Sequence, residues 1–273
     1  MFVNKYSLQR LREIILYNGD GGFDLDLSQC ALTQLPPAIF ALRNLHSLDI
    51  SKNSVRALPD EFDQLTHLRK LTACHCGFKA FPGVLCDLFR LEHVTLSLNN
   101  FEEFPKSLSQ LRSLHTLDLS VCSLEKFPPS ICSLPALENL LVQCNKLTYL
   151  PQNFGELERL KYVDLSMNNF DKFPNVLCDV STLHYVNLNR NSIVEIPSAI
   201  FNLQQLTELH MNNNKVRVFC KKLTHMSSLK IVDLENNNLE WIPPEIANHR
   251  MGEKRCLFNM KGNPLREIKQ HKK

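Results

Sequence analysis

Residues 160–182 read LKYVDLSMNNFDKFPNVLCDVST, and this stretch decides the fold. Apolar residues stand at Leu160, Val163, Leu165, Phe170, Phe173 and Val180, with an asparagine at Asn168 and a proline at Pro174. The phrase recurs. Leu45, Leu68, Leu91, Leu114, Leu137, Leu160, Leu183, Leu206 and Leu229 each open a copy, spaced by 23 residues without a slip. One more copy precedes the series (Leu25, Leu27, Cys30, Leu32, Leu35, Pro36) and a partial one follows it (Phe258, Met260, Asn263, Leu265). Self-similarity at such a period is the mark of a solenoid, in which each unit buries its apolar face only against its neighbours.

Each position of the phrase has a physical reading. Alternation sends Leu48 and Ile50 to one face of a short strand and Asp49 to the other. Stacked parallel strands about 4.8 Å apart then build a continuous core. Where the chain turns off the strand, Asn53, Asn99, Asn145, Asn168, Asn191, Asn214 and Asn237 supply an amide able to satisfy backbone groups on both sides. Cys30, Cys76 and Cys122 take the same place. The prolines that follow (Pro59, Pro82, Pro105, Pro128, Pro151, Pro174, Pro197) remove a backbone donor, so the return limb starts without a ladder. The expected fold is an α/β solenoid, a curved horseshoe with a parallel sheet on its concave face and short helical or irregular segments on its convex face. Its extent is read as 22–265, after a capping helix over 1–21 and before a basic tail over 266–273. The helix rests on the stripe Leu8, Leu11, Ile14 and Ile15, with Ser7 as N-cap and Gly19 as stop. The last 25 residues hold 8 Lys and Arg against 2 Glu, which reads as a solvated tail, with acidic partners or anionic lipid as the alternative.

Composition narrows the classes. Lys and Arg number 31 and Asp and Glu 28, a formal net charge of +3 that announces neither a nucleic-acid nor a membrane surface. No apolar run is long enough to span a bilayer. Lys5, Arg10, Arg12 and Glu13 interrupt the first apolar stretch, which does not suit a secretory leader and predicts a cytoplasmic, reducing setting. The ten cysteines fall partly at a 46-residue period (Cys30, Cys76, Cys122 and Cys86, Cys132, Cys178), every second repeat. Strands two apart would hold them about 9 to 10 Å from each other, too far for a disulfide. They read as small buried hydrophobes rather than a thiol array.

Chemistry has little room here. The sequence has no phosphate-cradling glycine loop, nucleophile elbow or HExxH helix. Cys74-His75-Cys76 is the best metal candidate, but alternation turns Cys76 inward and the other two outward, so no metal or cofactor site is expected. Asp118 and Asp164 belong to the repeated LDLS phrase and lack the shielding that acid–base work needs. The chain is read as a non-enzyme, and its function is placed on the outward positions of the strands. The position before each Asn or Cys runs Gln29, Lys52, His75, Leu98, Val121, Cys144, Met167, Arg190, Asn213, Asn236. Leu98, Val121, Cys144 and Met167 should form an exposed ridge ~15 Å long. Neighbouring rows add Lys70, His93, Tyr162 and Tyr185, then Leu141 and His210. Aromatic, apolar and arginine side chains grouped on one face suit the centre of a protein interface. Asp24, Asp26, Asp49 and Glu208 on the same face argue against nucleic acid.

The LxxLxLxxNxLxxLP phrase resembles the intracellular Ras-associated class of leucine-rich repeats, the class carried by Ras suppressor, Scribble and Erbin. The resemblance covers the repeats. It implies a cytoplasmic scaffold or adaptor in signalling, monomeric by itself, whose partners are proteins such as a small GTPase or a phosphatase subunit. A regulatory or substrate-recognition subunit of a phosphatase or ubiquitin-ligase complex is the alternative. Departures from the pattern are the three cysteines and Phe219-Cys220, which stands where Leu-Pro belongs and is followed by Lys221 and Lys222. That broken turn is read as drift near the cap, with a site on the rim as the other reading.

Overall fold

The computed structural model describes residues 15–17, 19, 21–243, 246 and 256–266. It divides between Asn145 and Lys146 into two compact units, although the 23-residue period runs through that point unbroken. The first unit holds β1 (Leu16–Tyr17), β2 (Phe23–Asp26), β3 (Leu45–Asp49), β4 (Lys70–Thr72), β5 (His93–Thr95), β6 (Thr116–Asp118) and β7 (Asn139–Leu141). The second holds β8 (Tyr162–Asp164), β9 (Tyr185–Asn187), β10 (Glu208–His210), β11 (Ile231–Asp233) and β12 (Leu257–Asn259). Within each unit the strands pair in chain order and in parallel, with registers offset by one repeat, as in Leu71↔Val94 and Leu209↔Val232. The exception is β1, antiparallel to β2. The segment 1–21 is therefore not helical throughout, because Leu16 and Tyr17 spend their backbone groups on β2. Of the helix expected over 1–21, residues 1–14 lie outside the described residues, and so does the basic tail beyond Arg266.

The return limbs are single 3₁₀ turns, nine among the described residues, from Pro37–Ala41 to Lys221–His225. Each of the first eight is preceded by a proline with extended backbone (Pro59 at φ −75°, ψ 163°), and in seven of them the proline carbonyl accepts the first bond of the turn, as from Phe62 N–H at 3.0 Å. Proline sits there because its own missing donor costs nothing before a helical turn. Strand leucines and turn residues such as Phe62 and Phe154 meet in a core where Leu48, Leu117, Leu165 and Leu209 have no exposure at all.

The asparagines do what the phrase requires. Asn145 is buried; its Nδ2 donates to Leu119 and Val142 carbonyls at 2.9 Å each, while its Oδ1 accepts from Cys122 and Leu124 N–H at 3.0 and 2.9 Å. One side chain thus ties a turn to the repeat before it. Asn53 and Asn99 repeat the arrangement in the first unit, and Asn191, Asn214 and Asn237 in the second. Where cysteine stands instead, the thiol reaches the carbonyls (Cys76 Sγ to Ile50 O, 3.2 Å) but has no amide oxygen for the previous turn. The backbone changes with it. The residue after each such cysteine takes a left-handed φ: Ala31 at 54°, Gly77 at 80° and Ser123 at 57°.

All ten cysteines are thiols rather than disulfides, and Cys76, Cys86, Cys122, Cys132, Cys178 and Cys220 are buried. Burial pushes Cys122 and Cys178 up from 9.0 to about 12 and Cys76 to about 11. Native-state labelling with a thiol reagent at pH 8 should therefore spare these six and reach Cys30, Cys74 and Cys144, with Cys256 reacting slowly because burial lifts it to about 11 as well, and the rest reacting after denaturation. Because the folded values lie above the unfolded one, the stabilising contribution of the protonated thiols is complete below pH 9 and is lost as pH climbs toward 12. Mass-spectrometric counting of labelled sites would contradict this assignment if Cys122 reacted in the folded protein.

Candidate protein-interaction faces

In the first unit, β4 and β5 place Lys70 opposite His93, both exposed on the face of the sheet that is turned from the core. Leu141 ends β7 opposite Asp118 and is half-buried. Cys76 is buried while His75 is exposed, the separation expected, although both lie in the turn beyond β4 rather than on the strand, and Cys74 Sγ is taken by Ser97 Oγ at 3.1 Å. Among the described residues no group of His, Cys, Asp and Glu has the arrangement of a metal site.

The row expected to form the ridge does not lie on the strands. β6 ends at Asp118 and Val121 sits three residues beyond it, in the turn. Every member of the row has a left-handed backbone: His75 at φ 54°, Leu98 at 59°, Val121 at 56° and Cys144 at 58° in the first unit, Met167 and Arg190 at 54° in the second. Their N–H groups still reach the next repeat, as Val121 does to Gln143 O at 3.0 Å and Met167 to Asn189 O at 2.8 Å. The outward direction is correct, since Leu98, Val121 and Met167 are 49%, 42% and 47% exposed; Cys144 is half-buried. A valine at φ 56° is strained by its β-branch. Asparagine, which the equivalent turns at 213 and 236 use, should relieve this. Val121→Asn is expected to raise stability by about 1 kcal/mol, read from the midpoint of a urea melt.

In the second unit, β8, β9 and β10 set Tyr162 beside Tyr185 and Asn187 beside His210. The tyrosine rings stack with centroids 4.2 Å apart and planes 9° from parallel, and His210 leans on Tyr185 at 5.0 Å. All three side chains are half-buried. Burial and the neighbouring Asp164 hold the Tyr162 phenol above its ordinary value, and burial with the Tyr162 neighbour does the same to Tyr185. Glu208 Oε2 lies 3.0 Å from His210 Nε2 and holds the imidazole in place. The three residues form a rigid aromatic step that presents ring surface at small entropic cost on contact.

Sequence reading missed the polar ladder beside this step. Asp164 Oδ1 accepts from Ser166 N–H and Oγ while its Oδ2 accepts from Asn187 Nδ2. Asp233 accepts from Asn212 and Asn259 side chains at 2.7 and 2.9 Å. The aspartates of the LDLS phrase are thus structural acceptors, each closing a turn onto the N–H two residues on, as Asp118 does for Ser120. The recurrence of Asp or Asn at that one position was the available signal.

The leucine rich repeat family model matches residues 24–78 and 181–239, and a second leucine rich repeat model matches 113–134. A stretch of 49 residues is 43% identical to the volume-regulated anion channel subunit LRRC8D of Rattus norvegicus, covering 18% of this chain and 6% of that subunit. Among solved structures, a leucine-rich repeat protein of Leptospira interrogans superposes with a TM-score of 0.68 at 25% identity, over 88% of this chain and 72% of that one. The TLR13–ssRNA13 complex gives 0.75 at 26% identity, over 88% of this chain and 36% of the other. Among the described residues no helix is long and apolar enough to cross a membrane. Repeat spacing, asparagine-tied turns, parallel sheet and these matches together make the chain a leucine-rich repeat protein.

Proposed function

We propose that the protein is a non-enzymatic interaction module, a cytoplasmic scaffold or adaptor in signalling that grips a protein partner on the open face of its sheet. The observation that carries this reading is the stacked Tyr162–Tyr185–His210 step, half-exposed and fixed by Glu208. Aromatic rings held rigid at a surface are the commonest anchors of protein interfaces. Exposed Leu98 and Val121 on the first unit offer a second, apolar contact. Buried, protonated thiols support a reducing compartment. The resemblance to the Ras-associated class makes a small GTPase or a phosphatase subunit the first partner to try, and the protein is taken to be monomeric alone.

The test is affinity purification from cytosol, read by mass spectrometry, comparing wild type with Tyr185→Ala and with Leu98→Asp/Val121→Asp. Tyr185→Ala should weaken its partner by about 1 to 4 kcal/mol while the melting temperature stays near wild type, because the ring is not part of the core. A partner set unchanged in both variants would refute the reading. A catalytic subunit recovered at equal stoichiometry, and lost with Tyr185→Ala, would make the protein the regulatory subunit of an enzyme complex.

A further inference from the structure

The repeat that lacks its Leu-Pro turn carries a surface of its own, away from the sheet. Cys220 takes the proline's place with φ −77° and ψ 104°, and the 3₁₀ turn Lys221–His225 still forms, with Leu223 N–H donating to Cys220 O at 3.1 Å. The first two positions of this turn are both cationic, whereas among the other described turns only Lys106-Ser107 carries even one cation there, as against Asp60-Glu61, Gln152-Asn153 or Ser198-Ala199. Lys221 Nζ sits 5.5 Å over the ring of Trp241, and Lys222 Nζ sits 5.4 Å over the ring of Phe201. Neither ammonium is in an ion pair among the described residues. Cation–π contact thus holds two charges in place without neutralising them.

Beside them runs a groove of about 500 Å³ lined by Ile196, Ser198, Val218, Phe219, Cys220 and His225, along with both lysines and Glu195. Val218 and Trp241 occupy equivalent positions in successive repeats and are 71% and 45% exposed. Lys215 and Arg217 are exposed in the same repeat. Glu195 is the groove's one carboxylate, and Glu240 nearby is engaged by Arg266. Two lysines thus border an apolar seat.

From this geometry we infer that the groove beside Val218, Lys221 and Lys222 is a docking site for an acidic segment of another protein that inserts an apolar side chain against Val218. The chain's own residues 247–255 have the wrong sign to fill it, since they carry Arg250, Lys254 and Arg255 against Glu253. The site is separate from the sheet face, so it stands or falls independently of the function proposed above.

Trp241 is the only tryptophan and its ring lies under Lys221, which lines the groove, so its emission reports on what Lys221 meets. The full-length protein would be titrated with a fluorescently labelled peptide of Asp and Glu around a central Leu, without Trp or Tyr. Parallel titrations would use the Leu→Ser peptide, a Lys-rich counterpart, and phosphatidylserine/phosphatidylcholine vesicles. The expected result is a saturable change in Trp241 emission and peptide anisotropy with the acidic Leu peptide, absent with the Lys-rich one and weaker with the Ser one. Affinity should fall at least ~10-fold in Lys221→Glu/Lys222→Glu and fall with added salt, while Tyr185→Ala leaves it unchanged. Circular dichroism confirms that the double variant is folded; if it is not, Lys221→Gln/Lys222→Gln replaces it, with the same loss expected. No saturable binding by wild type, equal affinity in the folded lysine variant, or a response to vesicles in place of peptide would each overturn the inference.

Discussion

Asn145→Ala should lower stability by about 4 kcal/mol, measured as the shift of a urea unfolding curve followed by circular dichroism. The truncation removes no apolar packing to speak of, so the loss comes from hydrogen bonding. Four close partners lose their bond at once: the carbonyls of Leu119 and Val142 and the N–H groups of Cys122 and Leu124. Each buried group left without a partner costs about 1 to 3 kcal/mol, less where it retains or finds another bond. Cys122 and Leu124 are buried, so water reaches their N–H groups only if the turn opens. Asn145→Cys should lose less, because a thiol can serve the carbonyls as Cys122 Sγ serves Leu96 O at 3.4 Å, leaving only the two N–H groups without an acceptor. A loss below about 1 kcal/mol in the alanine variant would mean that the amide is replaceable by solvent.

Leu165→Ala is expected to cost about 3 to 5 kcal/mol, toward the upper end for such truncations, against less than about 1 kcal/mol for Tyr185→Ala. Leu165 has no exposure, and its backbone is fixed from several sides. Its N–H donates to Asn187 O at 2.8 Å, and its carbonyl accepts from both Asn168 and Asn191 Nδ2 at 3.1 Å. A cavity opened there cannot close by backbone movement, and residual cavity volume is what raises the cost. The two melts together separate the two faces of the sheet. Equal losses would contradict the placement of Tyr185 on the open face.

The architecture was legible because the 23-residue period repeats each physical requirement many times over. Leu48, Asn53 and Pro59 are read by their kind, and one misjudged residue changes nothing. The ridge was less legible. Alternation tells on which side of a strand a residue lies, but it does not say where the strand ends, so Val121 was assigned to a strand when its left-handed φ puts it in the turn. The tyrosines were found by reading down the columns of the repeat. Their stacking at 4.2 Å and the brace from Glu208 are contacts across repeats that no single column contains. Phe219-Cys220-Lys221-Lys222 was visible as a break in the pattern, whereas its seat against Trp241 depends on a residue in the following repeat.

The reach of the asparagine amide bears on how such a chain can change length. Its bonds run back 21, 23 and 26 residues, from the turn of one repeat to the strand and turn of the one before. An insertion within that turn would carry the amide out of range of groups that have no other partner. An insertion on the return limb would not. The last repeat already shows this tolerance: β12 pairs with β11 at an offset of 26 rather than 23, yet Asn263 still finds Leu234 O at 2.8 Å and Leu239 N–H at 2.9 Å. Three added residues have been absorbed without disturbing the joint. Evolution can therefore lengthen the limbs of this protein freely, and can add or delete whole repeats, but it can hardly edit the sheet side by single residues.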